Sequence, residues 1–350
     1  MHPTKRKTPT ATDRMEPRYD RFLSIGATKV LHLFFEILVL IHHLQPNYVP
    51  FHTRMIVALG PIAVAGFLFT SGYGIGVKLR DQGDPYRHRL LTRRAPTMYL
   101  RLVLTDLFYL IPFFLLGNHF SGALSAISSV LYLPFFPQFV ALSRWVYFIA
   151  DLLVYYLVIA LFATIFRRRK NGYYLTLIAF LVALIPLVVV LSVINLKTGS
   201  SRYMRGAFLF PLGYAIAGAE KKVFERRVTP TIKWITCAGL LAVGVGIFLL
   251  TENSFVCEYL MPIPFALAAA IALLGCDPKG RVLDYFSGLV LGVYLSHEGY
   301  FRIFCHFLPS VDPWLRMLYV ILCALATAAL IDGIKRAIRL LAKRRRQAQI

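Results

Sequence analysis

Charge is scarce in this sequence, and negative charge is scarcer still. Only 16% of its 350 residues are charged, against about a quarter in an ordinary soluble domain. The 17 acidic residues face 39 basic ones, 57% of the chain is hydrophobic, and the mean hydropathy is +0.62. That balance excludes a water-soluble globular fold and points to a polytopic membrane protein. The formal net charge of +22 would suit nucleic acid if it were gathered on one face. Instead the basic residues lie in short runs between apolar segments, the pattern of cytoplasmic loops. The expected partner is the lipid bilayer, and no nucleic acid. Cysteine is also sparse: Cys237, Cys257, Cys276, Cys305 and Cys323 show no CxxC spacing, so neither a metal site nor a disulfide framework is expected. Residues 1–26 are polar and basic with no apolar run, so no cleavable signal peptide is expected and the first span itself directs insertion. No internal repeat or low-complexity tract is visible beyond the basic ends.

What is present is long apolar sequence. Ten candidate spans run over roughly 27–46, 56–78, 98–117, 143–166, 173–195, 204–219, 232–250, 257–275, 284–305 and 313–337. The expected fold is an all-α integral membrane protein, about ten transmembrane helices in one bundle. Basic residues fall on alternate connections: Lys5 to Arg21, Arg80 to Arg94, Arg167 to Lys170, Lys221 to Arg227, and Lys343 to Arg346. With ten crossings these share one side, and both termini are cytoplasmic. The expected division is a basic N-terminal arm (1–26), a membrane domain (27–337) and a basic tail (338–350). Segment 118–142 holds four serines and two prolines in apolar context, which predicts a re-entrant or interfacial loop rather than a span. The sixth span is short and carries Pro211, Gly213 and Gly218, so a tilt or break is expected there.

The first span, TKVLHLFFEILVLIHHLQP from Thr28 to Pro46, breaks the apolar rule most openly. Its 19 residues rise about 28 Å as a helix, enough for one crossing. On a helical wheel His32, Glu36 and His43 fall within about 40° of one another, while His42 points away. Such a stripe must face protein or a water-filled cavity, and by default it marks a functional site.

Four other places break the rule. Ser71, Gly72, Tyr73, Gly74 and Gly76 suit close approach of a neighbouring helix or of a ligand. Arg144 and Trp145 open the fourth span, as substrate contacts or as interfacial anchors. Asp106 and Asp151 lie too deep to stand without partners. His297 and Glu298 fall midway along the ninth span.

TKVLHLFFEILVLIHH, FLFTSGYGI, SRWVYFIADLLVYYL, FLFPLGY and VLDYFSGLVLGVYLSHEGYF occur in the order and spacing of acyltransferase family 3, and the chain resembles that family over about residues 25 to 335. The resemblance implies a ten-helix polytopic acyltransferase of the cell membrane, acting on a cell-surface glycan or a lipid-linked saccharide. It also implies acyl-CoA, with acetyl favoured, as donor substrate rather than as a bound cofactor. The family's first span typically carries an acid, a basic residue three positions on, and a histidine eleven residues after the basic one. Here that register falls on Lys29, His32 and His43. The histidine is kept, the acid is replaced by a base, and Glu36 stands one turn from His32, where it can supply the missing acid.

Acyl transfer to a hydroxyl needs a base and donors for the developing oxyanion. A histidine, with an unperturbed pKa near 6.5, is mostly neutral at pH 7. His43 is therefore expected as the general base, with His32 and Glu36 as its catalytic neighbours. Along one helix Glu36 lies about 10 Å from His43, so a carboxylate orienting His43 comes from another span, with Asp106 or Asp151 as candidates. Ser71, Tyr73, Arg144, Trp145 and His297 are expected to line the substrate path, His297 alternatively making a structural bond between helices. Arg80, Arg93 and Arg94, with Arg87 and Arg89 beside them, are expected to hold the phosphates of the donor or else merely to fix topology. Two other classes stay open: a secondary transporter, and an acyltransferase-like protein that binds without catalysis.

Overall fold

The computed structural model describes residues 21–43, 53–131, 142, 147–198, 206–224, 228–250 and 256–347. These fold as helices: α1 (Ile25–His42), α2 (Thr53–Gln82), α3 (Asp84–Arg89), α4 (Ala95–Leu115), α5 (Ala123–Val130), α6 (Tyr147–Ile165), α7 (Gly172–Thr198), α8 (Leu209–Phe224), α9 (Pro230–Leu250), α10 (Pro262–Ala272), α11 (Arg281–Phe307) and α12 (Pro313–Gln347). Short π-helical turns, Leu90–Arg94 and Val256–Leu260, lead into α4 and α10. No strand occurs among the described residues.

Among the described residues, six helical stretches are long and apolar enough to cross a membrane: Ile25–His42, Ile56–Gln82, Asp84–Leu115, Phe148–Ile165, Pro230–Leu250 and Pro313–Ile334. The packing has the membrane sense. On α4, Leu100, Leu104, Leu107 and Ile111 point outward, while Leu102, Thr105, Asp106 and Tyr109 are buried. An apolar outer stripe over a partly polar interior is what hydrocarbon solvent selects.

Within segment 118–142, residues 132–141 lie outside the described residues, and in the described part α5 is a short helix that buries Ser125, Ser128 and Ser129. It is too short to span, and its hydroxyls are covered by protein. In the sixth span α8 begins only at Leu209, after a turn over 206–208, and then runs unbroken to Phe224 with Leu209, Phe210, Tyr214 and Ala217 packed inside the bundle. Its Pro211 sits in the first turn, where no intrahelical N–H is needed. Of the expected N-terminal arm, residues 21–24 are described, and they are tied to the bundle by contacts given below. Arg144 and Trp145 lie outside the described residues.

α2 is the axis of the fold. It packs most extensively on α8, and also on α1 and α10, while α11 lies between α1 and α12. Glycine sets the α2–α8 spacing. A Cβ at Gly72 would stand 1.9 Å from the Phe210 carbonyl oxygen, and one at Gly213 would stand 2.2 Å from the Phe69 carbonyl oxygen. Gly72 of FLFTSGYGI therefore serves backbone-to-backbone packing against α8. Gly72→Ala is expected to destabilise the protein by about 1–3 kcal/mol, because the clash is with main chain and cannot be relieved by a rotamer. A thermal unfolding curve in detergent measures it, and an unchanged midpoint would show that the helices separate freely there.

Candidate active site

α1 runs antiparallel to α2, and successive contacts fix the register. Arg21 pairs with Asp81, Leu23 bonds Tyr73, His32 bonds Thr70, the Phe35 ring covers Gly66, and the His42 ring covers Gly60. The polar stripe of α1 is thereby distributed along the whole length of α2.

His43 closes α1, its N–H accepted by the carbonyls of the last turn. It is 8% exposed and faces α11. Its Nδ1 lies 3.6 Å from Oε2 of Glu298, which is itself 4% exposed. That distance is longer than a hydrogen bond, and the contact becomes an ion pair when His43 is protonated. Glu298 is held from its other oxygen by Arg302, one turn along α11, at 2.7 Å. The His297 ring stacks obliquely on His43 with centroids 4.8 Å apart. His43, Glu298, Arg302 and His297 form one cluster, with Tyr109 of α4 in electrostatic reach of Glu298, Arg302 and Asp106.

This corrects the sequence reading in two respects. The carboxylate that meets His43 is Glu298, not Asp106 or Asp151. Asp106 is fully buried on α4 and Asp151 is buried on α6 near Tyr155. The His32–Glu36 pair does not form either. His32 Nε2 lies 2.9 Å from Thr70 Oγ, whose own hydrogen goes back to the carbonyls of Gly66 or Phe67. The hydroxyl therefore accepts, and His32 donates from Nε2. Both carboxylate oxygens of Glu36 are buried without a hydrogen-bond partner. Lys29 pairs with Asp284 of α11 at 2.6 Å, so the reversed charge has an acid opposite it after all.

At the other end of α2 the substrate-path residues separate. The Tyr73 hydroxyl donates to Oε2 of Glu220 at 2.6 Å and accepts from the Leu23 N–H at 3.1 Å. Glu220, 2% exposed on α8, also accepts from the Phe22 N–H at 3.2 Å and from Arg80 at 2.6 Å. Tyr73 is thus occupied by Leu23 and Glu220, and Arg80 by Asp81, Glu220 and the Ala217 carbonyl, which corrects their expected roles in substrate and donor binding. Arg87 is likewise held by Asp84. Arg93 and Arg94, with Lys78, Gln82, Tyr86 and Arg89, line a cavity of about 250 Å³. Lys78 and Arg94 both lie over the Tyr86 ring, at 5.7 and 5.6 Å. Arg94 reaches the Tyr156 hydroxyl, which also bonds Ser71. Among the described residues no cluster of His, Cys, Asp and Glu could hold a metal ion.

The sequence did carry signals for the residues missed. Glu298 and Arg302 stand one helical turn apart inside an apolar span, a spacing that pairs opposite charges. Lys78 and Tyr86 adjoin the arginine run. Glu220 is an acid in a segment otherwise read only for its glycines.

A family model described as an acyltransferase domain matches residues 33–333, and the chain belongs to acyltransferase family 3. With its apolar helices, that makes its general class a membrane acyltransferase. No curated protein and no solved structure matches it.

Proposed function

We propose that the protein transfers an acyl group, acetyl by preference, from acyl-CoA to a hydroxyl of a cell-surface glycan or a lipid-linked saccharide, with His43 as general base. The observation that supports this most directly is the array of buried His43 and Glu298 with partly exposed Arg302, at 3.6 and 2.7 Å, in a chain of this family. With Nδ1 toward the carboxylate, Nε2 is the nitrogen that works on substrate. It takes the hydroxyl proton, the oxygen bonds the thioester carbonyl carbon, the C–S bond breaks, and the imidazolium returns the proton to the thiolate. Glu298 stabilises the imidazolium that forms, and Arg302 keeps that carboxylate in place. This division of labour is that of base and orienting acid.

The cavity of Lys78, Tyr86, Arg89, Arg93 and Arg94 fits the phosphates of the donor, because several cations converge there and no acid lines it. Ten crossings of the cell membrane with both termini and this cavity on the cytoplasmic side complete the reading. Mass spectrometry of envelope glycans from cells expressing the wild type and His43→Ala tests it. Loss of one acyl increment in the variant is expected; an unchanged pattern in inserted variant protein overturns it. For the donor cavity, Arg93→Gln is expected to raise KM for acetyl-CoA about tenfold with kcat kept, the size of one lost charge-assisted bond. Arg87→Gln, whose side chain belongs to Asp84, leaves KM alone.

A further inference from the structure

The acceptor side of the site holds a nitrogen that the transfer step does not use. His297 Nδ1 lies 3.2 Å from the Val293 carbonyl oxygen, and a carbonyl only accepts, so Nδ1 carries the hydrogen. The lone pair of the neutral ring is therefore on Nε2. That nitrogen has no hydrogen-bond partner, and the residue is only 1% exposed. A buried acceptor left empty is costly, so its persistence beside a reacting base needs an explanation. The neighbouring ring is His43, with centroids 4.8 Å apart. An alcohol has one hydroxyl hydrogen, and the transfer gives it to His43. A second group of the acceptor is the source of hydrogen that substrate itself brings to Nε2.

We infer that His297 Nε2 accepts a hydrogen bond from a neighbouring hydroxyl or amide of the acceptor while His43 deprotonates the reacting one. The acceptor is then a polyol such as a saccharide ring, in which adjacent carbons carry adjacent donors, and not an isolated alcohol. His297 is a positioning and specificity residue; its own proton count does not change. The inference rests on the assignment of His43 as base, and its test separates the two.

Membranes from cells expressing the full chain are given radiolabelled acetyl-CoA, and label is followed into envelope saccharide and into free acetate. Water needs no second donor, so His297→Ala is expected to lower transfer about 10–100-fold while acetate release is kept. His297→Gln, which places an amide oxygen close to the position of Nε2, recovers most of the transfer. His43→Ala loses both products, so failure of the base assignment shows as residual transfer in that variant. Failure of the present inference shows differently: an unchanged partition in His297→Ala, or equal loss of both products in both His297 variants. NMR of the product that puts the new ester on a hydroxyl with no adjacent hydroxyl or amide overturns it as well.

Discussion

Replacement of His43 by alanine is expected to lower kcat for acyl transfer by about 10²–10⁴-fold, the usual worth of a positioned general base. The folded protein should survive the change, because His43 sits at the end of α1, beyond the last full turn. The pH profile carries the same information. A base acts in its neutral form, so wild-type activity falls as pH drops through its pKa, and that acidic limb disappears with the imidazole. Glu298→Gln keeps the shape but removes the negative charge 3.6 Å from Nδ1, and Arg302 then lies beside a neutral group. Its expected cost is smaller, about 10–100-fold in kcat with little change in KM, since the imidazolium it stabilises exists only along the reaction. Single-turnover transfer rates at several pH values measure both. Equal activity of His43→Ala and wild type would remove the proposed mechanism entirely.

Glu220→Ala is expected to destabilise the protein by about 3–5 kcal/mol, the cost of breaking a buried ion pair by removing one partner. The carboxylate is 2% exposed and collects three donors: the Tyr73 hydroxyl, the Phe22 N–H and the Arg80 guanidinium. Its removal strands all three at the junction of α2, α8 and the segment preceding α1. Glu220→Gln keeps an acceptor for Tyr73 and Phe22 and loses only the charge, so it should fall between wild type and alanine. Thermal midpoints in detergent rank the three proteins. A Glu220→Ala protein as stable as wild type would mean that water reaches this junction.

The helical architecture was legible because hydrocarbon solvent imposes long apolar runs, and the described parts of these runs are helical. His43 stood out for a similar reason: an ionisable group within an apolar span is rare, and the family register singled it out. Its partner was not, because one sequence gives angular positions on a helix but not which helices face each other. Asp106, Asp151 and Glu298 were equivalent acids until the packing of α1 on α11 chose Glu298. His32 and Glu36 misled for the opposite reason. Their one-turn spacing permits a pair, yet Thr70 on α2 offers His32 a better-placed acceptor. Arg80 and Arg93 read alike in the sequence as members of one basic run. Only the position of Glu220 on α8 separates an arginine that holds the fold from one that faces a cavity.

The antiparallel register of α1 on α2 has a directional consequence. His43 lies at the level of Gly60, and the basic cavity begins at Lys78, so the two stations are about 27 Å apart along one continuous helix. That is nearly the thickness of the hydrocarbon layer. On the proposed reading, the thioester is drawn from one compartment and its ester product is left in the other. The reaction is then vectorial, and thioester cleavage powers delivery across the bilayer with neither a nucleotide hydrolysed nor an ion gradient spent.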